Sequence, residues 1–273
     1  MGEALGLSEA RSVVQSVGKA FAVLKAFDSA FPELTASQVA ERASLDRGTA
    51  FRLIKTMVEL GYMRGVPGSK RYRLTLKCLE LGFNALSSSD LSTHAEPLLR
   101  EAVPDFADAG SLGVLERGEV VYLQRVQTGL DRHGFDRRPG SRTGAYAAAL
   151  GHAILAYLPR EEQVAHLESI ERVKVSERTL TALPDLLSRL QTVRGQGYAV
   201  SDGENAYGLR TVAAPILSPD SRPLAAVSLT VQSSRMPLPA FTDAAVPVVR
   251  RIASELADGV RLSRGAIGVG RPL

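Results

Sequence analysis

Between Thr35 and Arg73 the chain reads as helix, turn, helix and basic hairpin in immediate succession, an order that few folds accept. Thr35-Ala36-Ser37-Gln38 is a capping box, in which the Thr35 hydroxyl takes the Gln38 amide and the Gln38 side chain reaches back. It opens a short helix through Ala43, with Val39, Ala40 and Ala43 facing inward. Ser44 and Leu45 make a tight turn, and Asp46 caps a further helix, Arg47 to Leu60, whose apolar face is Phe51, Ile54, Met57 and Val58. Gly61 supplies the left-handed residue that ends it. Tyr62 to Val66 and Tyr72 to Leu76 then flank Pro67-Gly68-Ser69-Lys70, where Pro followed by Gly predicts a type II turn. Upstream, Val17, Ala20, Phe21, Leu24 and Phe27 recur at helical spacing before the break at Phe31-Pro32. Three helices followed by a hairpin predict a winged helix-turn-helix.

Charge gives this module a direction. Residues 42–77 hold nine basic groups and two acidic ones, a local charge of +7. The whole chain carries only +4, so everything else sums to −3. A compact basic module on a near-neutral body suits a polyanion. In a winged helix the third helix enters the major groove with its N-terminal residues on base edges. Those residues are Arg47, Gly48, Thr49, Ala50 and Arg52. Gly48 and Ala50 are small enough to let backbone approach the groove, and Arg47 and Arg52 can bind guanine or phosphate. Thr35, Ser37 and Gln38 sit at a helix N-terminus, which suits phosphate, and Lys70 and Arg71 tip the ribbon. Winged helices also serve as protein-interaction modules. That alternative predicts salt-insensitive partner binding and no operator footprint, and the charge excess favours double-stranded DNA.

At 273 residues the chain has room for about two domains. The expected division is a winged helix over 12–76, a linker helix within 77–91, a second domain over 92–262 and a disordered tail over 263–273. Cys78 is the single cysteine, which excludes an internal disulfide, argues against a Cys-rich zinc site and fits a reducing cytoplasm. Among apolar neighbours it reads as a small packed residue. In the second domain a capping box at Thr93-His94-Ala95-Glu96 predicts a helix towards Ala109, kinked or shortened by Pro104. Strands are expected at Ser111–Leu115 and Val120–Val126, joined by a turn at Glu116-Arg117-Gly118-Glu119, with a loop or irregular strand over 130–142. Helices follow at Ala145–Leu158, Arg160–Ser169 and Ala182–Gln196, then strands at Tyr198–Asp202, Thr211–Leu217 and Leu224–Val231, and a long helix from Phe241 to Leu262. The fold class is α+β.

The last strand carries two different faces. Val227, Leu229 and Val231 point one way, and Ala226, Ser228 and Thr230 the other. Thr211, Ala213 and Pro215 repeat the small, hydroxylated theme on the neighbouring run. Such a face either lines a cavity for a polar ligand or belongs to a half-solvated antiparallel sheet. Pro139-Gly140-Ser141-Arg142-Thr143-Gly144 runs into a helix rich in small residues, and a Gly-rich, hydroxyl-bearing turn feeding a helix N-terminus can hold a carboxylate, with Arg142 adding charge. No enzyme signature accompanies this. His94, His133, His152 and His166 have no partner at metal-ligand spacing, and there is no G-x-S-x-G elbow or phosphate loop. No metal, cofactor or catalytic role is expected. No stretch of 18 apolar residues lacks a charge, and the N-terminus has no signal pattern, so no membrane association is expected.

Together these segments resemble the IclR family of bacterial transcription regulators over about residues 16–262. The resemblance rests on Val17-Gly18-Lys19-Ala20 with Leu24, on Leu45-Asp46-Arg47-Gly48-Thr49-Ala50-Phe51-Arg52-Leu53 and on Gly61-Tyr62. Further on it rests on Pro139-Gly140-Ser141-Arg142, Ala149-Leu150-Gly151, Gly197-Tyr198, Asp202-Gly203-Glu204, Gly208-Leu209-Arg210 and Ala213-Ala214-Pro215. Arg178-Thr179-Leu180-Thr181 and Arg194-Gly195-Gln196-Gly197-Tyr198 are most similar to the branch that senses protocatechuate or 4-hydroxybenzoate. The resemblance implies a winged helix joined by a linker helix to a GAF-like or profilin-like sheet domain, which binds a small organic acid. It also implies a dimer, or a dimer of dimers, on a palindromic operator. By position it carries the effector site to Tyr146, Ala147, Gly151, Asp202, Glu204, Ala213, Ser228 and Thr230; Tyr146 and Tyr207 either stack an aromatic acid or serve as plain packing with a satisfied hydroxyl. The chain departs from the family pattern at His152, where Lys or Arg is usual, at Asn205-Ala206-Tyr207, and at Gly144, where Pro is common.

Overall fold

The computed structural model describes residues 14–28, 30–81, 90–128, 130 and 137–267. The chain divides into two compact units, Met1–Ala85 and Leu86–Leu273. The first is a winged helix-turn-helix and the second an antiparallel sheet with helices on both faces, so the fold is α+β.

In the first unit α1 spans Gln15–Lys25, β1 Leu34–Thr35, α2 Ala36–Arg42, α3 Arg47–Glu59, β2 Met63–Gly65 and β3 Arg71–Leu74. The Thr35–Gln38 capping box forms in full, the Gln38 amide donating to the Thr35 hydroxyl and the Thr35 amide to Gln38 Oε1 at 2.9 Å. Ser44 takes a positive φ of 54° in the tight turn. Asp46 caps α3 by accepting from the Thr49 amide at 2.8 Å, and Gly61 turns the chain with a φ of +80°. Gly68 at +70° provides the positive φ that a type II turn needs after Pro67, and the Ser69 amide closes that turn on the Val66 carbonyl at 3.1 Å.

The core of this unit is Val23, Phe27, Leu34, Val39, Ile54, Met57 and Met63. Two expected faces are rotated. On α3 Ala50, Ile54 and Met57 are buried, while Phe51 and Val58 are exposed. Both sets have helical spacing, but the position at the close approach takes the methyl of Ala50 rather than a phenyl ring, and Phe51 lies outside under Lys55. Along α1 and just past its end, Phe27 joins the core and Ala20 and Leu24 pack against it as expected, but Val17 and Phe21 are exposed and Val23 and Ala26 are buried instead. The wing also has a third strand, because Leu34 pairs with Tyr72 and Thr35 with Arg71, giving the order β1-β3-β2. Residues 78–81 are helical, and the remainder of the expected linker helix, 82–89, lies outside the described residues. Cys78 is half-buried, its thiol donating to the Tyr62 carbonyl, and burial pushes its pKa up.

The second unit begins with α4, Asp90–Phe106. Thr93 therefore lies inside a helix and the expected capping box is not used; Glu96 instead bonds Arg100 at 2.6 Å, one turn on. The helix ends two residues past Pro104. β4 (Ala109–Glu116) and β5 (Glu119–Gln127) form a hairpin whose central residues, Arg117 and Gly118, both have positive φ, as a two-residue type I′ turn requires. β6 (Arg142–Gly144), α5 (Ala149–Leu155), α6 (Arg160–Glu168), α7 (Leu183–Gln196), β7 (Ala199–Asp202), β8 (Leu209–Leu217), β9 (Pro223–Gln232) and α8 (Leu238–Ile267) follow. The helix expected from Ala145 starts only at Ala149, because 145–147 form a turn. α8 continues through 263–267, in place of the start of the expected disordered tail, and 268–273 lie outside the described residues.

The sheet order is β6-β5-β4-β9-β8-β7, antiparallel throughout. Val227, Leu229 and Val231 face a core shared with α4 and α8. The opposite face is covered by α5 and α7. Ser228 and Thr230, on that face, are buried, so this is a two-sided core rather than a half-solvated sheet.

Candidate DNA-binding surface and effector cavity

In the first unit the N-terminus of α3 presents Arg47, Gly48 and Arg52 to solvent, with Thr49 half-buried behind them. Thr49 is held by its amide on Asp46, and Arg52 Nη2 reaches the Thr49 hydroxyl at 3.5 Å. Bonds from Thr49 hold the Asp46 carboxyl below its usual pKa, so the cap stays ionised. Ala50 is the exception among the expected contacts. It has no accessible surface and serves the core, so its side chain cannot meet a groove. Ser37 and Gln38 are exposed at the start of α2; Thr35 is half-buried, and its hydroxyl and the Gln38 carbonyl oxygen are engaged with each other. Lys70 and Arg71 are exposed on the wing, and the Thr35↔Arg71 pairing sets the turn end of the ribbon beside the α2 N-terminus.

The other cations of the basic segment divide by role. Arg42 is structural, donating to the Ala26 carbonyl at 2.6 Å and pairing with Asp28 at 2.5 Å. Lys77 donates to the Leu60 carbonyl at 3.0 Å. Sequence reasoning missed Lys19, which with Gln15 and Ser16 of α1 lines a groove against Thr49, Arg52 and Leu53. Helical spacing placed Lys19 opposite the expected core face but did not say which helix lay beside it.

In the second unit the sheet face under α5 encloses a small cavity. Its floor is formed by Ser111, Arg125, Ser201, Thr211, Ser228 and Thr230, which fall in two cross-strand rows. Arg125 pairs with Ser111, Ser111 with Ser228, and Ser228 with Ala213. Two residues along, Ala109 pairs with Thr230, Thr230 with Thr211, and Thr211 with Ser201. The Thr211 and Thr230 hydroxyls are 3.0 Å apart. Ala148, Ala149 and Leu150 at the start of α5 form the roof, Asn205, Ala206 and Leu209 one wall, and Tyr122 and Arg137 the other. The cavity measures about 40 Å³, room for a water or two rather than an organic acid.

A β-bulge shapes the cationic end. Leu112 pairs with Gln124 but Gly113 with Tyr122, so Leu123 is an extra residue in β5. Tyr122 and Arg125 are three apart and would face opposite sides of a regular strand. The bulge puts both on the cavity side, a re-aiming that bulges often perform beside functional sites. Arg125 donates to Ser111 Oγ at 2.8 Å and to Gln127 Oε1 at 2.9 Å. Arg137 donates to the Tyr122 hydroxyl at 3.0 Å and lies 5.2 Å from the ring centre.

Of the expected effector residues, Ser228 and Thr230 line this cavity and the other eight do not. Arg142 lies on β6, not at a helix N-terminus, and pairs with Glu116 and with Glu119 at 3.2 Å, bonds that raise its pKa. Tyr146 is buried and clamps residue 173, its hydroxyl donating to the Val173 carbonyl at 2.9 Å and accepting from the Val173 amide at 3.1 Å. Ala147 and Ala213 belong to the core. Gly151 is a packing glycine, since a Cβ there would overlap the backbone of Ala145. Asp202 binds Arg178 and, at 2.9 Å, Arg210. Glu204 binds Arg189 at 2.9 Å, although burial still pushes its carboxyl pKa up. Tyr207 is 89% exposed and stacks on nothing among the described residues. Arg142, Tyr146, Asp202 and Glu204 are thus engaged in bonds within the unit.

Comparison with known proteins decides the family. The model of the IclR helix-turn-helix domain matches residues 16–67, and that of the bacterial transcriptional regulator IclR C-terminal domain matches residues 83–258. The chain belongs to the IclR family. It is an IclR-type DNA-binding transcriptional regulator with a ligand-binding C-terminal domain. It is 32% identical to the HTH-type transcriptional regulator XynR of Escherichia coli K12, over 82% of this chain and 88% of that protein. Identity is 29% to the p-hydroxybenzoate hydroxylase transcriptional activator of Acinetobacter baylyi, over 89% and 90% of the two chains. A transcriptional regulator from Rhodococcus sp. RHA1, known from its crystal structure, superposes with a TM-score of 0.80 at 33% identity, covering 92% of this chain and all of that one. Among the described residues of this IclR-family chain, no helix is long and apolar enough to cross a membrane and no cluster of side chains could hold a metal ion.

One departure from the family pattern has a measurable consequence. His152 of α5 is fully buried; its Nε2 donates to the Tyr146 carbonyl at 2.6 Å, and its Nδ1 has no partner among the described residues. Burial, with Arg189 adding to it, lowers its pKa from 6.5 to about 4, so the ring is neutral in the fold. Unfolding restores the ordinary value. From pH 6.5 down to 4 the unfolded chain therefore binds a proton that the folded chain refuses, and stability falls through that window by about 3 kcal/mol. Melting curves from pH 7.5 to 4.5 should show this loss. His152→Gln, which keeps a donor for Tyr146 but does not titrate, should show a shallower decline; parallel curves would remove the assignment.

Proposed function

We propose that this regulator binds a palindromic operator as a dimer, or a dimer of dimers, and releases or re-engages it when a small aromatic carboxylate enters the second unit. The reading places the winged helix within 12–76, the connection within 77–91 and the effector domain within 92–262. It places the protein in the cytoplasm and assigns it no catalytic role. The exposed set Arg47, Gly48, Arg52, Ser37, Lys70 and Arg71 supports the DNA half, because each is accessible on an element that winged helices lay against duplex. The observation that carries the ligand half is the cavity itself, with hydroxyl rows across its floor and Tyr122, Arg125 and Arg137 in its lining. A lining rich in hydroxyl and guanidinium donors suits a carboxylate, and Tyr122 supplies a ring for an aromatic one. The A. baylyi relative is named for the activation of an aromatic-acid hydroxylase, which agrees with that class.

The cavity's size supplies a mechanism. An organic acid exceeds about 40 Å³, so its binding must part the lining side chains. The liganded and unliganded units then differ in structure, which is what allows a ligand to shift a population. Gel shift with the DNA upstream of its own gene tests the reading. A preference over random duplex supports it. Salt-insensitive binding to a protein partner, with no operator preference, would replace it with an interaction module.

A further inference from the structure

We infer that the groove between α1 and α3 is a seat for a phosphate of the DNA backbone, held by Lys19 on one wall and Arg52 on the other. This rests on the DNA half of the function proposed above and is independent of the ligand half. The position of Lys19 on its helix is the first observation. Val23 lies four residues on, hence on the same face of α1, and is fully buried in the core. One turn earlier that face changes character. Gln15, Ser16 and Lys19 occupy it, all exposed, while the apolar Val17 and Phe21 turn away. A face used only for packing would stay apolar along the helix. Here the seam between the helices opens into a groove of about 370 Å³, with Gln15, Ser16 and Lys19 on one side and Thr49, Arg52 and Leu53 on the other. Charge then selects the occupant. The lining holds two cations and no carboxylate. No side chain or carbonyl among the described residues holds Lys19. Arg52 makes one long bond, to the Thr49 hydroxyl at 3.5 Å, and the nearby Asp46 is already committed to the Thr49 amide. Place selects it further. Thr49 and Arg52 follow directly on the tip of α3 that presents Arg47 and Gly48. When such a helix enters the major groove, base edges lie at the groove floor and phosphates along its rim. A cation carried by the flanking helix meets the rim.

Binding of the full chain to two labelled duplexes, the DNA upstream of its own gene and an arbitrary sequence of equal length, tests the seat by fluorescence anisotropy from about 0.05 to about 0.3 M salt. Lys19→Ala should lower affinity for both duplexes by the same factor, about three- to tenfold near 0.1 M salt. The slope of log affinity against log salt should fall by about one for each copy of the first unit on the duplex. Lys19→Arg should restore both quantities, and Arg52→Ala should repeat the pattern of Lys19→Ala. Lys25→Ala is the control, because Lys25 is an exposed lysine of the same helix that does not line the groove. It lies about 9 Å further along the axis, about one screening length at 0.1 M salt, so its loss should change affinity less than about twofold. The slope does not depend on the folded fraction, so it stands even where a variant is less stable. An unchanged slope in Lys19→Ala, an equal loss in Lys25→Ala, or a loss in Arg52→Ala confined to the preferred sequence would overturn the seat and leave DNA binding intact. A wild-type chain that binds neither duplex would remove the seat and the DNA half of the function together.

Discussion

Arg47→Ala will lower the operator affinity of the full chain ten- to a hundredfold and leave its melting temperature unchanged. Arg47 is the first residue of α3, exposed, and no side chain or carbonyl among the described residues holds it. Its removal leaves no buried group unsatisfied, so the fold loses nothing. A bidentate arginine–guanine contact is worth about 1–3 kcal/mol, which sets the expected loss. The mode of contact is also readable. If Arg47 touches a base, affinity falls most for the preferred sequence and discrimination relaxes. If it touches phosphate, affinity falls evenly on all duplexes and the slope of log affinity against log salt drops by about one. Arg42→Ala should behave in the opposite way. That side chain ties α2 to the Ala26 carbonyl and Asp28, so its loss should lower the melting temperature first. Unchanged DNA binding in Arg47→Ala would remove α3 from the groove.

Gly151→Val will cost more than about 3 kcal/mol of folding stability. A Cβ at position 151 would overlap the carbonyl oxygen, carbonyl carbon and Cα of Ala145. These are backbone atoms of a fully buried turn, so nothing there can yield as a flexible side chain could. Gly195→Ala on α7 is the matched control. Nothing lies within 4 Å of a Cβ there, and replacing a helical glycine in open space should add about 0.5–1 kcal/mol. Urea unfolding of both variants gives the comparison. If Gly151→Val is tolerated, α5 can move off the turn below it.

How legible each feature was in the sequence follows from the range of the interaction that makes it. The Thr35–Gln38 box, the Asp46 cap, Gly61 and the turn at Pro67-Gly68 are local and were read directly. β1 was not, because two residues have no period and acquire meaning only when Leu34 meets Tyr72. The choice between Ala50 and Phe51 as the buried residue of α3 depends on how closely a neighbouring helix approaches, which spacing alone does not report. The capping pattern at Thr93 was genuine chemistry in a segment already helical from Asp90. The candidate effector cavity was the least legible. Alternation in β9 singled out Ser228 and Thr230, but the rows that continue through Ser111, Thr211 and Ser201 depend on register between distant strands. Arg125 was hidden by the bulge, which shifts the parity on which alternation relies. Arg142 had the right charge and lies beside two glutamates that its hairpin partners supply.

In the proposed function an acid in the second unit changes how the first unit binds DNA. Fluorescence anisotropy of a labelled operator, titrated with the full chain in the absence and presence of an acid already shown by calorimetry to saturate it, measures that coupling directly. The expected result is an operator affinity that changes about fivefold or more, the lower end of ordinary allosteric coupling. Identical isotherms with and without saturating acid would contradict it.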